Sequence, residues 1–129
     1  MPKKTYIRIY CNDMKMHSTG GEKWYRDYVL ARLGLADFNE KLSLNEQDMC
    51  IFNNMIKYVE NVRIKMHDNS IPEFRFKVEY IRSNNSGKHI IKTVESPYTI
   101  RYIEGKKASF LQLIHNNIVI VEKIEKIYL

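Results

Sequence analysis

The segment His17-Ser18-Thr19-Gly20-Gly21 is the first place in the chain where residue types and spacing suggest chemistry. It follows an alternating stretch and opens an amphipathic one. Free backbone N–H groups at a helix start attract anions, and glycines let a phosphate approach closely. Ser18, Thr19, Gly20 and Gly21 are therefore candidate anion-binding residues, with a phosphate-containing ligand as the expected class. No Gly-Lys-Ser/Thr follows, so the full phosphate-loop pattern is absent. The plainer reading is structural: Thr19 caps the helix together with Glu22, and the two glycines turn the chain.

The second candidate is a set of cations in the C-terminal half. Arg75 and Lys77 alternate with Phe74, Phe76 and Val78, which places them on the outward side of a strand. Lys92 and Arg101, on later strands, join them if the register permits. A basic sheet face with aromatic neighbours binds phosphates and stacks bases, and the chain has nine tyrosines. The competing reading is a solvated sheet face, which is polar in any protein. No standard RNA-binding aromatic motif is present.

Other reactive residue types are scattered. His17, His67, His89 and His115 are not at metal-ligand spacing with one another or with a cysteine. His67 falls at a helix C-terminus, where the dipole favours a cation. Cys11 and Cys50 are isolated, and two cysteines are too few for a disulfide framework. Glu104-Gly105-Lys106 has the acidic-x-Lys form found in metal-dependent nucleases. Such a site needs further carboxylates, and Glu95 is the only one nearby. No metal or cofactor is expected, and no catalytic residue is assigned.

The elements that must position these residues are legible from periodicity. Thr5 to Cys11 alternates and reads as a strand, followed by a loop from Asn12 to Gly21. A helix is expected from about Gly20 to Leu33, with Trp24, Tyr28 and Ala31 on one stripe and Gly34 at its C-terminal end. Ser43 to Met66 reads as one long amphipathic helix. Ser43 and Glu46 form a capping box. Met49, Phe52, Met55, Ile56, Val59, Val62 and Met66 recur at three- and four-residue steps on one face. After Pro72 the period becomes 2. Strands are expected over Glu73–Arg82, Lys88–Glu95, Tyr98–Ile103, Ala108–His115 and Ile118–Val121. Ser83–Gly87 and Glu104–Lys107 are turns, and Asn116-Asn117 fits a two-residue hairpin because Asn tolerates positive φ. Glu122–Leu129 fits either a strand or a helix.

These elements specify an α+β fold over residues 1–129 as a single domain. An antiparallel β-sheet of about 5–6 strands packs in two layers against two α-helices, in the order β-α-α-β-β-β-β-β. The length suits one core, and a hydrophobic fraction of 44% excludes disorder. The formal charge is +6, and the basic excess lies mainly beyond residue 70, which permits an anionic partner but equally fits the ordinary net charge of a solvated protein. No apolar run approaches a membrane span, and Met1-Pro2-Lys3-Lys4 opens no signal core, so a reducing bacterial cytoplasm is expected. In general character the chain is similar to small proteins of phages and mobile elements. That resemblance implies a non-enzymatic binding protein, an inhibitor or regulator. It would occupy a surface of a nucleic-acid-handling complex, or bind nucleic acid through the basic sheet face. The alternatives are a small enzyme or ligand-binding protein using Ser18–Gly21, and an assembly subunit or homo-oligomer joined through an edge strand.

Overall fold

A computed structural model describes residues 4–20 and 22–129. The described residues form an α+β fold with six strands and two helices. The strands are β1 (Lys4–Cys11), β2 (Met14–Gly20), β3 (Glu73–Asn84), β4 (Gly87–Glu104), β5 (Ala108–His115) and β6 (Ile118–Ile127), and the helices are α1 (Lys23–Ala31) and α2 (Leu44–Met66). The sheet order is β2-β1-β3-β4-β5-β6, with every neighbouring pair antiparallel. β2 and β6 are therefore the two free edges.

One face of the sheet carries the helices. Ile7, Ile9 and Cys11 of β1 and Phe74, Phe76 and Val78 of β3 point into this layer and are buried, as alternation requires. Ile100 on β4 and Leu111 and Leu113 on β5 extend it. From α2, Phe52, Met55, Val59 and Val62 pack against them. Met49 and Met66, expected on the same stripe, are 43% and 57% exposed, while Ile51 is buried. A helix of this length turns its stripe away from a twisted sheet at both ends, so only the middle turns reach the core.

Local signals explain the boundaries. The Ser43 Oγ accepts from the Glu46 N–H, and the Glu46 carboxylate accepts from the Ser43 N–H, closing the capping box. At the other end His67 adopts φ 52°, a left-handed conformation that ends α2. Asn116 and Asn117 have φ 52° and 63°, as a type I′ hairpin needs. Gly34, at φ +74°, reverses the chain after α1.

Three expectations about the elements are corrected. The loop expected over Asn12–Gly21 is, through Gly20, a turn and a strand. Asn12 and Asp13, at φ 49° and 64°, make a second two-residue hairpin, and Met14–Gly20 returns as β2 along β1. Its weakly apolar sequence hid a half-exposed edge strand. Thr19 consequently does not cap α1. It is buried opposite Ile7, and Glu22 takes the N-cap position with no side-chain bond. Pro97 does not divide β4. On β3 only Phe76 separates Arg75 from Lys77, whereas Ser96, Pro97 and Tyr98 separate their partners Glu95 and Thr99 on β4. Pro97 thus sits in a bulge where its missing N–H is not needed. The open choice at Glu122–Leu129 resolves as strand through Ile127, paired to β5.

Candidate anion-binding face

The sheet face opposite the helices is built from the alternate residues of each strand. β1 contributes Tyr6, Arg8 and Tyr10, and β2 sets Gly20, Ser18 and Lys15 directly beside them. On the other side of β1, Tyr6 faces Ile81 and Arg8 faces Glu79. Ser83 pairs with Lys88 across the β3–β4 hairpin. These strands together form an open depression of about 510 Å³ lined by Lys4, Tyr6, Arg8, Lys15, Ser18, Gly20, Ser83 and Lys88. Four of these residues are cations and none is a carboxylate. The Arg8 guanidinium, with Lys88 behind it, lowers the Tyr6 phenol below the usual tyrosine range. Arg8 in turn is raised by its bonds to Tyr10 and then Tyr6. The nearest acid, Glu79, is 3.8 Å from Arg8 and accepts the Tyr10 hydroxyl at 2.7 Å.

Gly20 keeps the depression open. A Cβ there would meet Tyr6 Cβ at 3.3 Å and Lys4 Cε at 3.4 Å. A side chain there would project among the cations and fill part of the depression.

The sequence-predicted anion residues are thus split by strand alternation. Ser18 and Gly20 line the depression, Thr19 points into the core layer, and Gly21 lies outside the described residues. None of Ser18, Thr19 and Gly20 sits at a helix start, since α1 begins at Lys23.

The four predicted cations are also divided. Arg75, Lys77 and Arg101 share the outer face, but carboxylates accompany them. Arg75 Nε lies 3.2 Å from Glu73 Oε1, and Lys77 Nζ lies 2.8 Å from Asp13 Oδ1. The Asp13 bond raises the Lys77 ammonium above its ordinary value. Glu95 stands opposite Lys77, and Glu73 opposite Arg101. This part of the face is locally neutral. Lys92 is on the other face, paired with Tyr80, with its Nζ 4.5 Å from the Tyr80 ring centroid. Tyr80 has the same parity as Phe74, Phe76 and Val78, so its partner must follow it to the helix side.

Sequence reasoning missed Lys4, Arg8, Lys15 and Lys88. The signal was present in part: alternation already put Tyr6 and Arg8 outward on β1. Lys15 became visible only once Asn12-Asp13 is recognised as a hairpin turn.

The remaining candidates do not assemble. Among the described residues no three His, Cys, Asp or Glu side chains group as metal ligands. Glu104 accepts the hydroxyls of Tyr128 at 2.6 Å and Tyr102 at 3.0 Å, bonds that lower its carboxyl. Glu95 lies on the opposite sheet face, nine residues along β4, a span of about 30 Å for a strand. The Cys11 thiol is pushed up to about 12 by burial, which leaves it no thiolate for nucleophilic work near neutrality. The His115 ring stacks on Tyr98 with centroids 4.4 Å apart. Among the described residues no helix is long and apolar enough to cross a membrane. Comparison with protein-family models, with curated proteins and with solved structures finds no match to this chain.

Proposed function

We propose that this is a non-enzymatic nucleic-acid-binding protein whose contact surface is the outer face of β2, β1, β3 and β4. The observation that carries the reading is the cluster of Lys4, Arg8, Lys15 and Lys88 around Tyr6, with no carboxylate in its lining. Like charges brought together repel, and an isolated fold gains nothing from concentrating them. A phosphate backbone crossing the sheet neutralises them and releases its own counterions. Tyr6, half-buried among these cations, supplies an aromatic ring of the kind on which the unstacked bases of a single strand stack. The site is open and shallow, which fits an extended polymer better than a small substrate.

The test is fluorescence anisotropy with labelled single- and double-stranded oligonucleotides over a range of salt concentrations, beside a labelled mononucleotide. Expected is tighter binding to the single strand, affinity that falls steeply with salt, and loss of binding on Lys15→Glu or Lys88→Glu. Saturable mononucleotide binding as tight as that of the oligonucleotide, lost in the same variants, replaces this reading with a phosphate-ligand site at Ser18 and Gly20. Oligonucleotide binding that survives both charge reversals overturns it.

A further inference from the structure

A second surface has the opposite electrostatic character. Trp24 and Tyr28 stand one turn apart on the outer side of α1, 65% and 44% exposed. With Ala31 and the loop at Phe38 they bound a groove of about 490 Å³. Inside it lies the chain's own Arg32. Its guanidinium carbon is 3.5 Å from the Tyr28 ring centroid and 5.3 Å from that of Phe38. Its Nη2 donates to Glu40 Oε1 at 3.0 Å, and this bond holds the Glu40 carboxyl below the usual range. The groove therefore already holds one guanidinium, stacked on the Tyr28 ring beside Phe38 and backed by a carboxylate.

Arg32 leaves this chemistry unsaturated. Asp27 and Asp37 also line the groove, so three carboxylates face one guanidinium in a protein of net charge +6. Among the described residues Asp27 is met in an ion pair only by Lys23 at 2.6 Å, through an 80% exposed side chain that water competes for. Asp37 makes no ion pair among the described residues. The Trp24 indole, the best cation acceptor among the side chains, stands beside these acids largely bare.

We propose that this groove docks an extended, arginine-bearing segment of a partner protein. The incoming guanidinium stacks on Trp24 and bonds to Asp27 and Asp37, repeating beside Arg32 the arrangement that Arg32 makes with Tyr28 and Glu40. Arginine fits better than lysine because its planar, weakly hydrated group stacks on rings and forks onto carboxylates. An extended backbone fits because prolines or other stiff residues settle between aromatic ridges with little loss of entropy. The site is separate from the basic face and does not depend on it.

Trp24 is the only tryptophan, so its fluorescence reports occupancy directly. The probes are a decapeptide alternating arginine and proline and its glutamate–proline counterpart. The expected result is a saturable change in Trp24 emission with the arginine peptide and none with the glutamate peptide. By anisotropy of the labelled arginine peptide, Asp37→Lys and Trp24→Ala should each weaken binding about tenfold or more, the loss of one good contact. Both positions are at the surface, so thermal melting checks that the variants fold. No saturable change, an equal response to both peptides, or unchanged affinity in the two variants overturns the proposal.

Discussion

Arg63 on α2 donates a 2.6 Å hydrogen bond from Nη1 to Glu125 Oε2 on β6, joining elements 62 residues apart. Arg63 is 5% exposed, and Glu60 lies 3.3 Å from the same nitrogen. The guanidinium carbon stands 5.1 Å from the Tyr102 ring centroid and 5.9 Å from that of Phe74. Nε and Nη2 have no hydrogen-bond partner among the described residues, so the aromatic faces and the carboxylates compensate the buried charge.

Removing one partner of a buried pair is costly because the other charge stays behind. Glu125→Ala should destabilise the fold by about 3 kcal/mol, the lower end for such pairs, because Glu60 remains and Glu125 is partly exposed. Arg63→Met in the same background should recover much of that loss by replacing the charge with apolar volume. Urea unfolding of the single and double variants checks this. A loss below about 1 kcal/mol for Glu125→Ala would mean the pair behaves as a surface contact.

Gly34 tests the packing of the α1 exit against β4. A Cβ at this position would clash with Cδ2 and Cε2 of the Tyr98 ring, at a φ of +74°. Gly34→Ala should cost about 2–4 kcal/mol, combining left-handed strain with overpacking. In a Tyr98→Ala background the steric part should vanish and leave about 1 kcal/mol of backbone strain. Equal costs in the two backgrounds would show that the ring is not the obstacle.

Burial holds the Cys11 thiol at about 12, against an ordinary value of 9.0. The folded state therefore favours the protonated form. Its stabilisation is fully present below pH 9 and is lost progressively as pH rises from 9 towards 12, where the unfolded chain releases the proton first. The full effect is about 4 kcal/mol at 1.36 kcal/mol per pKa unit. Cys11→Ala should flatten the alkaline fall in stability measured by urea unfolding between pH 8 and pH 10. At pH 8 an aromatic disulfide reagent should modify the half-buried Cys50 in the native protein, and Cys11 only after unfolding. Rapid modification of both thiols without denaturant would contradict this burial.

On the candidate face the cations should separate into two classes. Lys88→Ala removes a cation from the basic depression, and should weaken oligonucleotide binding and lower the salt slope by about one unit. Arg75→Ala should change binding little, because Glu73 already neutralises that guanidinium. Lys92→Ala should also change it little, because Lys92 is on the helix side of the sheet. If Arg75→Ala weakens binding as much as Lys88→Ala, the contact extends over the neutral part of the face as well.

Local signals determined those parts of this protein whose interactions close within a few residues. The Ser43–Glu46 box spans three residues, and the α2 stripe repeats within single turns. Asn116 and Asn117 need only their own tolerance of positive φ. The outward parity of Tyr6, Arg8, Arg75 and Lys77 was equally local, because neighbouring side chains in a strand alternate. Tertiary structure decided what depends on a partner strand. Met14–Gly20 carries too little apolar pattern to announce itself, and becomes a strand through its ladder to β1. Pro97 is tolerated because it sits in a β4 bulge opposite Phe76 of β3, and Lys92 falls on the helix side because its register partner is Tyr80. Lys4 and Lys15 share the β1–β2 hairpin, but Lys88 is more than seventy residues on, and only the order β2-β1-β3-β4 brings it round to Tyr6. Register is set by which faces are buried across the whole sheet, a sum over distant pairs that no single stretch of chain contains.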